Sequence, residues 1–243
     1  MGGGGVVAGF LKKGFGGGVG GGGGSGWVPD LLLKGQQRVY ADLLANASVS
    51  VVVATGPAGS GKTMLSCREA ARLLLDGRMD RVIMTRPVVT VREEDLGYLP
   101  GGIGSKMDPY MRPLLDTFGE MIPEHEIMAL IKSKRIEICP LGFMRGRTFK
   151  RSFIIADEMQ NACPAQMLML LTRLGMDSRM AITGDLAQSD VSRVSNGLRD
   201  LMERLSLCDD GWGLIRSVEL GDSDVHRSEV VKSVLKLYRD ITQ

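Results

Sequence analysis

The chain has 243 residues, a formal net charge of +2 and 24% charged residues, so it is long enough for one domain with a hydrophobic core, and its overall charge argues neither for nor against nucleic-acid binding. Its four cysteines lie far apart without a C-x-x-C spacing and it has only two histidines, which indicates reduced thiols in the cytoplasm rather than a disulfide framework or a zinc site. No apolar run approaches the roughly 18 residues that cross a bilayer, so we expect a soluble protein without a membrane span.

The N-terminal segment differs in composition from the rest of the chain. Residues 1–26 contain 15 of the 33 glycines. Such a stretch buries too little apolar area to offset its backbone entropy, so it predicts a flexible tail. The pair Lys12 and Lys13 could touch a phosphate backbone, although a solvated linker is the simpler interpretation. We therefore place the folded domain at residues 27–243.

Residues 27–55 predict an entry segment, a short amphipathic helix and the first strand. The helix is indicated by apolar positions at helical spacing, and residues 49–55 are a β-branched apolar run typical of a buried parallel strand. Gln36 lies twenty residues before Gly56, and a glutamine at this place could read the adenine edge with both its donor and its acceptor. A surface position on the helix is an equally good interpretation of Gln36.

Residues 56–63 have the spacing G-x-x-x-x-G-K-T between a predicted strand and a predicted helix, which is the context that a phosphate-binding loop requires. Its glycines let successive N–H groups point inward, and the helix N-terminus adds positive charge, so a nucleoside triphosphate fits. Lys62 would reach the β and γ phosphates, and the Thr63 hydroxyl would complete the shell of a Mg²⁺ ion. The residues assigned to the loop are Gly56, Pro57, Ala58, Gly59, Ser60, Gly61, Lys62 and Thr63.

The next part of the chain completes one strand, helix and strand unit and adds two helices. Pro87 ends the second strand, and Asp108 and Pro109 supply an N-cap and a first-turn proline for a later helix. The predicted elements are a helix at 64–76, a strand at 81–86, a long loop at 88–105, and helices at 108–121 and 123–134.

A third strand is predicted at residues 135–139, and it leads into a turn-rich segment with the densest basic cluster of the chain. Clusters of this kind contact phosphates, yet a solvated face explains most of them. The cations of the cluster are Arg145, Arg147, Lys150 and Arg151.

Residues 152–161 predict a buried strand that ends in two adjacent carboxylates, at the edge where α/β sheets place their ligands. Asp157 would hold the hydration shell of Mg²⁺. Glu158 would polarise the attacking water, since a base beside the γ-phosphate distinguishes hydrolysis from binding. Together with the phosphate loop, this pair predicts a nucleoside-triphosphate hydrolase.

The remaining elements are predicted around a further strand at 179–183. Gln188 follows the tip of this strand on the same edge as Asp157, where a glutamine can sense the γ-phosphate. His226 and Arg227 lie in a polar segment, and Arg227 fits either a phosphate contact or a surface charge. The other predicted elements are helices at 164–174, 196–208 and 228–241 and a strand at 213–220.

Taken together, these segments resemble the PhoH-like ATPase family from residue 35 to residue 238. The resemblance rests on several separate blocks in the same order along the chain. They are residues 56–63, 85–87 (T-R-P), 96–101 (L-G-Y-L-P-G), 108–114 (D-P-Y-M-R-P-L), 144–148 (M-R-G-R-T), 157–161 (D-E-M-Q-N), 172–175 (T-R-L-G), and 184–185 with Gln188. Two departures are Met159, where the family usually has alanine, and Ser228-Glu229, where a proline-containing continuation is usual.

The resemblance implies an α/β fold, namely a RecA-like P-loop NTPase arranged as a three-layer sandwich with a mostly parallel central sheet, related to superfamily 1 helicase cores. It implies an ATPase that uses ATP and Mg²⁺, binds single-stranded RNA, takes part in phosphate-starvation responses and forms a homo-oligomeric ring, with a hexamer as one candidate. It also implies that Gln36 resembles the adenine-reading glutamine and that His226 and Arg227 resemble the closing His-Arg pair.

A ring also has a physical reason. Superfamily 1 helicases complete their site with an arginine from a second RecA-like domain, and the chain has length for one such domain. An arginine finger would then come from a neighbouring subunit, with Arg147 as our candidate, or from Arg227 within the chain. Two alternatives to an RNA-coupled ATPase or helicase are a nucleotide-gated RNA-binding module with little hydrolysis and a small-molecule kinase, which would need an acceptor pocket and a lid.

Overall fold

The computed structural model describes residues 32–87, 103–189, 196–208 and 213–225, together with Val230. The predicted tail at residues 1–26, most of the predicted loop at 88–105, His226, Arg227 and nearly all of the predicted closing helix lie outside the described residues. The helices are α1 (Gly35–Ala45), α2 (Lys62–Leu75), α3 (Ile103–Gly119), α4 (Glu124–Lys132), α5 (Pro164–Leu171) and α6 (Gly197–Leu207), with short 3-10 turns at Leu141–Met144, Met159–Asn161 and Asp222–Asp224.

Six strands form one sheet in which every neighbouring pair is parallel. Their order is β3-β2-β4-β5-β1-β6, so β5 lies between β1, which precedes the phosphate loop, and β4, which ends in Asp157. The strands are β1 (Val51–Thr55), β2 (Arg81–Thr85), β3 (Ile136–Ile138), β4 (Ser152–Ala156), β5 (Arg179–Gly184) and β6 (Ile215–Glu219).

The apolar strands are buried on both faces, because alternate residues of one strand point to opposite sides of the sheet. Val52 and Ala54 pack with α1, α2, α3 and α4. Val51 and Val53 pack with α5, α6 and the turn Leu141–Met144. Helices therefore cover both faces, which confirms the predicted α/β three-layer sandwich around a parallel sheet.

Parallel pairing brings the carboxyl ends of the central strands to one edge of the sheet. Thr55 of β1 lies opposite Gly184 of β5, and Ala156 of β4 lies opposite Ile182 of β5. The segments that follow these three strands begin side by side, and they carry the phosphate loop, the acidic pair and Gln188.

The start of α3 differs more from the sequence-based expectation than the other described boundaries, which differ by three residues or fewer. Helix α3 begins at Ile103, whereas Asp108 and Pro109 predict a start five residues later. The apolar side chains of Met111, Leu114 and Phe118, which lie in both the predicted and the observed helix, are buried. Among the described residues no helix is long and apolar enough to cross a membrane.

Arg179, the first residue of β5, fastens α1 to the sheet. Its guanidinium donates hydrogen bonds to the carbonyl oxygens of Leu44, Asn46 (2.8 Å) and Val49 (3.2 Å) and lies 3.8 Å from a Glu69 carboxylate oxygen. Those carbonyls lie at and beyond the end of α1, where helix carbonyls have no partner within the helix. Burial lowers the pKa of Arg179, and the nearby Glu69 carboxylate partly offsets this.

We expect Arg179→Met to lower the free energy of unfolding by about 2–4 kcal/mol, because it leaves buried carbonyl oxygens without a donor. Urea unfolding followed by circular dichroism measures this change. Arg151→Met is the matched control, since Arg151 pairs with Asp80 on the surface and its loss should leave the unfolding midpoint unchanged. Equal midpoints for the two variants would contradict the role of Arg179.

Candidate nucleotide site

The phosphate loop turns sharply between β1 and α2. Gly56, Gly59 and Gly61 have φ values of 142°, 83° and 92°, a region that side chains disfavour. A Cβ atom on Gly56 would lie 2.3 Å from the carbonyl oxygen of Leu220, so the loop also runs directly against the end of β6. The sequence places glycine where the backbone needs it.

Helix α2 presents an N-terminus suited to an anion. Its N-cap residue is Gly61, no side chain caps the helix, and its first turn contains no acidic residue. The first N–H groups of a helix lack partners within the helix and carry partial positive charge. This end of α2 therefore favours phosphate binding.

Lys62 is buried, and its ammonium group lies over the loop. It donates hydrogen bonds to the carbonyl oxygens of Gly56 (2.6 Å) and Pro57 (2.9 Å) and lies 3.4 Å from the Ser60 hydroxyl. The lysine therefore stabilises the loop and places a positive charge beside the α2 N-terminus.

The Asp157 carboxylate joins the phosphate loop to the neighbouring strands. Thr63 donates to its Oδ1 atom at 2.9 Å, and Thr183 of β5 donates to the same atom. Arg86, just after β2, donates to Oδ2 through Nε at 3.0 Å and also through Nη2. Asp157 is 2% exposed, so these donors compensate for burying its charge.

Glu158 is exposed, and its backbone lies in the left-handed region with φ 56° and ψ 34°. This conformation is uncommon for residues other than glycine and turns the chain at the tip of β4. Gln160 donates a hydrogen bond from Nε2 to the Glu158 carboxylate at 2.6 Å. The position of Glu158 is thus fixed by both its backbone and its neighbour.

A cavity of about 380 Å³ lies over these groups. Lys62, Thr63, Asp157, Glu158 and Gln188 all line it, so the structure brings together the residues predicted for phosphate, metal, water and γ-phosphate sensing. The remaining lining residues are Ala58, Gly59, Gly61, Met64, Pro113, Asp116, Thr117, Glu120, Gly184 and Asp185.

The end of α3 and the residue after it form an acidic wall of this cavity that sequence reasoning did not assign. Asp116 lies in the last turn of α3, Glu120 directly follows the helix, and both line the cavity. Burial raises the pKa of Glu120, and the nearby Asp116 carboxylate raises it further. Their spacing of four residues could have indicated that both carboxylates lie on one face, but it does not indicate that this face lines the cavity.

Three contributors near the strand tips were also missed. Arg86 and Thr183 donate hydrogen bonds to Asp157. Gln160 donates to Glu158 and accepts from the backbone N–H of Asp185. Each is a polar residue at or just after the carboxyl end of a buried strand. That position was the available signal, because parallel strands end together at the ligand edge.

Helix α1 presents Gln36 to solvent, and its adenine-reading role stays a prediction. The next residue, Gln37, is fully buried and contacts the phosphate loop. Its Nε2 atom donates to the carbonyl oxygens of Ser60 (3.1 Å) and Asp224 (2.8 Å). Adjacent residues on a helix point about 100° apart, so a shift of one residue along α1 separates a surface position from a buried one.

Arg147 does not line the cavity of its own chain. Its guanidinium donates to both carboxylate oxygens of Glu137 (2.5 and 3.0 Å) and lies 4.6 Å from the centre of the Phe149 ring. The Glu137 hydrogen bonds raise the pKa of Arg147. Its role as an arginine finger stays a prediction, and so does that of Arg227, which lies outside the described residues.

Comparison with known proteins identifies a family. The family model described as PhoH-like protein matches residues 32–239. The PhoH-like protein of Bacillus subtilis is 40% identical over 205 residues, which cover 84% of this chain and 62% of that protein. Protein PhoH of Escherichia coli is 40% identical over 199 residues, covering 81% of this chain and 55% of that protein. The chain thus spans little more than half the length of these relatives.

Among solved structures, Pif1 helicase from Candida albicans is 15% identical with a TM-score of 0.43, and the match covers 86% of this chain and 43% of that one. At this similarity the comparison adds nothing about activity.

We expect Gly56→Ala to abolish nucleotide binding, because a Cβ atom would collide with the Leu220 carbonyl at 2.3 Å. Titration with a fluorescent ADP analogue measures binding. Gly77→Ala is the control, since Gly77 also has positive φ (68°) but nothing lies within 4 Å of its Cβ position. That variant should lose about 1–2 kcal/mol of stability and keep its nucleotide affinity. Equal affinities for both variants would refute the packing argument.

Proposed function

Because the chain belongs to the PhoH-like family, as the match over residues 32–239 shows, we propose that it binds and hydrolyses ATP with Mg²⁺ and couples hydrolysis to single-stranded RNA. The observation that carries the proposal is the Thr63–Asp157 hydrogen bond of 2.9 Å. It joins the phosphate loop to the acidic strand tip, and Glu158 then lies at the same cavity.

The donor set fits Mg²⁺. Thr63 and Asp157 offer a hydroxyl and a carboxylate oxygen close enough to share one ion, and Mg²⁺ prefers one or two such ligands together with water and substrate phosphates. Among the described residues no group of three or more His, Cys, Asp and Glu side chains could hold a metal, so the ligands supplied by this part of the chain are few. When bound, the ion neutralises charge on the phosphates.

The side chains of the cavity have complementary roles in the proposed hydrolysis. Lys62 and the α2 N-terminus hold the phosphates. Glu158 accepts a proton from a water molecule whose oxygen bonds to the γ-phosphorus, and the bond to the bridging oxygen of ADP breaks. Gln188, which is exposed after β5, contacts the γ-phosphate and reports its presence.

RNA coupling is proposed from the resemblance and from the surface after β3. The basic cluster does not form one continuous patch, because Arg147 pairs with Glu137 and Arg151 pairs with Asp80. Arg145 is exposed and makes no hydrogen bond or ion pair with the other described residues. Close by in sequence, Phe143 exposes 59% of its surface.

The loop that carries Phe143 and Arg145 is firmly held. Leu141 and Met144 anchor its 3-10 turn in the core, and Arg173 donates a hydrogen bond to the Arg147 carbonyl oxygen at 3.0 Å. An exposed aromatic ring and a cation on a rigid loop suit single-stranded nucleic acid, where bases stack and phosphates pair.

A homo-oligomeric ring, for which a hexamer is one candidate, supplies the missing arginine in this proposal. Arg147 pairs with Glu137 of β3, which lies at the end of the strand order. In a ring, its guanidinium would have to leave Glu137 and enter the cavity of the neighbouring subunit. A role in phosphate starvation and a cytoplasmic location remain predictions from the family resemblance.

We expect Glu158→Gln to lower ATP turnover by about 10²–10⁴-fold while nucleotide binding persists, because it removes the base and keeps the volume. Turnover is measured with and without single-stranded RNA across protein concentrations, with Glu203→Gln as the control at an exposed site on α6. RNA stimulation that depends on concentration supports a coupled ring. Nucleotide binding without turnover in the wild type would instead indicate an RNA-binding module, and full turnover in a monomer would contradict the Arg147 proposal.

We expect Arg145→Ala to weaken RNA binding and to reduce the slope of log affinity against log salt by about one, as the loss of one phosphate contact requires. Phe143→Ala should weaken binding without changing this slope, because stacking is not ionic. Fluorescence anisotropy with an oligouridine measures both effects. Arg151→Ala removes the same charge at the amino end of β4 and should leave the slope unchanged. A slope that responds equally to Arg145→Ala and Arg151→Ala would contradict a local site.

A further inference from the structure

Gln160 follows the acidic pair on the turn Met159–Asn161, and only 2% of its surface is exposed. A buried amide is costly unless both its donor and its acceptor are used. Here Nε2 donates to the Glu158 carboxylate at 2.6 Å, and Oε1 accepts from the backbone N–H of Asp185 at 3.1 Å. One side chain therefore connects the tip of β4 to the loop after β5.

A second contact fastens the far end of that loop. The Ser189 hydroxyl donates to the backbone carbonyl of Gln160 at 3.1 Å and accepts from Asn196 Nδ2 at 3.0 Å. Asn196 in turn caps α6 by accepting from the Arg199 N–H at 3.0 Å. The loop from Asp185 to Ser189 is thus held by Gln160 at both its ends, and Gln188 lies within it.

The loop and Gln160 pack closely at this junction. A Cβ atom on Gly184 would lie 2.7 Å from Gln160 Oε1 and 2.5 Å from Leu198 Cδ2. Because the Asp185 N–H, directly after β5, donates to the amide oxygen, a shift of the loop that keeps this hydrogen bond also shifts Gln160. Its other end would then move the Glu158 carboxylate.

We infer that Gln160 is a positioning residue that couples the orientation of Glu158 to the loop carrying Gln188. The inference rests on the proposed hydrolysis, in which Glu158 accepts the proton of water. Fixing Oε2 of a carboxylate sets the direction of Oε1, so the hydrogen bond from Gln160 aligns the base. Contact between the loop and the γ-phosphate then changes the alignment of the base through one buried amide.

Gln160→Met tests the coupling, because methionine has nearly the same shape and makes neither hydrogen bond. We expect kcat to fall by about tenfold to a hundredfold with KM for ATP almost unchanged, since a misplaced catalytic group costs rate rather than affinity. Gln166→Met is the matched control. Gln166 is exposed on α5 and caps Cys163 N–H at 3.0 Å, away from the cavity.

A second measurement does not depend on turnover. Hydrogen exchange with and without Mg²⁺ and a non-hydrolysable ATP analogue reports protection at residues 157–162 and 184–189. In the wild type we expect protection of both segments, and in Gln160→Met we expect protection of 184–189 to be lost while the analogue still binds.

The outcomes separate this inference from the proposed function. A fall in kcat together with loss of protection at 184–189 supports the coupling. Unchanged protection in Gln160→Met overturns the coupling. A fall in kcat that comes with a higher KM and a lower melting temperature also overturns it, because that combination would indicate a packing defect alone. If wild type and Glu158→Gln turn over ATP equally slowly, the proposed hydrolysis fails, and the exchange result alone decides whether Gln160 links the two segments.

Discussion

The Asp157 carboxylate is the constraint on which the rest of the site depends. It is almost fully buried and accepts hydrogen bonds from α2, from β5 and from the arginine that follows β2. A buried charge without partners costs several kcal/mol, so these donors are needed for the sheet edge to be stable with this residue inside it. The same contacts set the distance between the phosphate loop and the strand tip. The geometry of the site is therefore a consequence of how the charge is stabilised.

Much of this arrangement could be predicted from the sequence, because its signals are local. The glycines of the phosphate loop are required by backbone angles, and the apolar strands before residues 56 and 157 require burial on both faces. Parallel strands then bring their carboxyl ends together, which places Thr63 beside Asp157. Each step needs only neighbouring residues and the rules of sheet pairing.

What could not be predicted depends on side chains that are distant in sequence. The composition around residues 145–151 indicates one basic cluster, yet Glu137 of β3 and Asp80, just before β2, pair with two of its arginines. The buried partner of the phosphate loop is Gln37 rather than Gln36, which the helical phase of α1 decides. Neither the two ion pairs nor the burial of Gln37 can be predicted from a local sequence pattern, because both are set by packing between elements.

The cavity is electrically asymmetric, and this asymmetry bears on which ligands it accepts. Its lining carries charges of both signs, because Lys62 and the α2 N-terminus are positive, whereas Asp116 of α3 and Glu120 just after α3 are acidic. A polyphosphate is attracted by the positive groups and repelled by the two carboxylates. Burial raises the pKa of Glu120, and the nearby Asp116 carboxylate raises it further. A bound anion therefore needs neutralising charge near the acidic wall, and this requirement favours a nucleotide accompanied by a cation over a bare one.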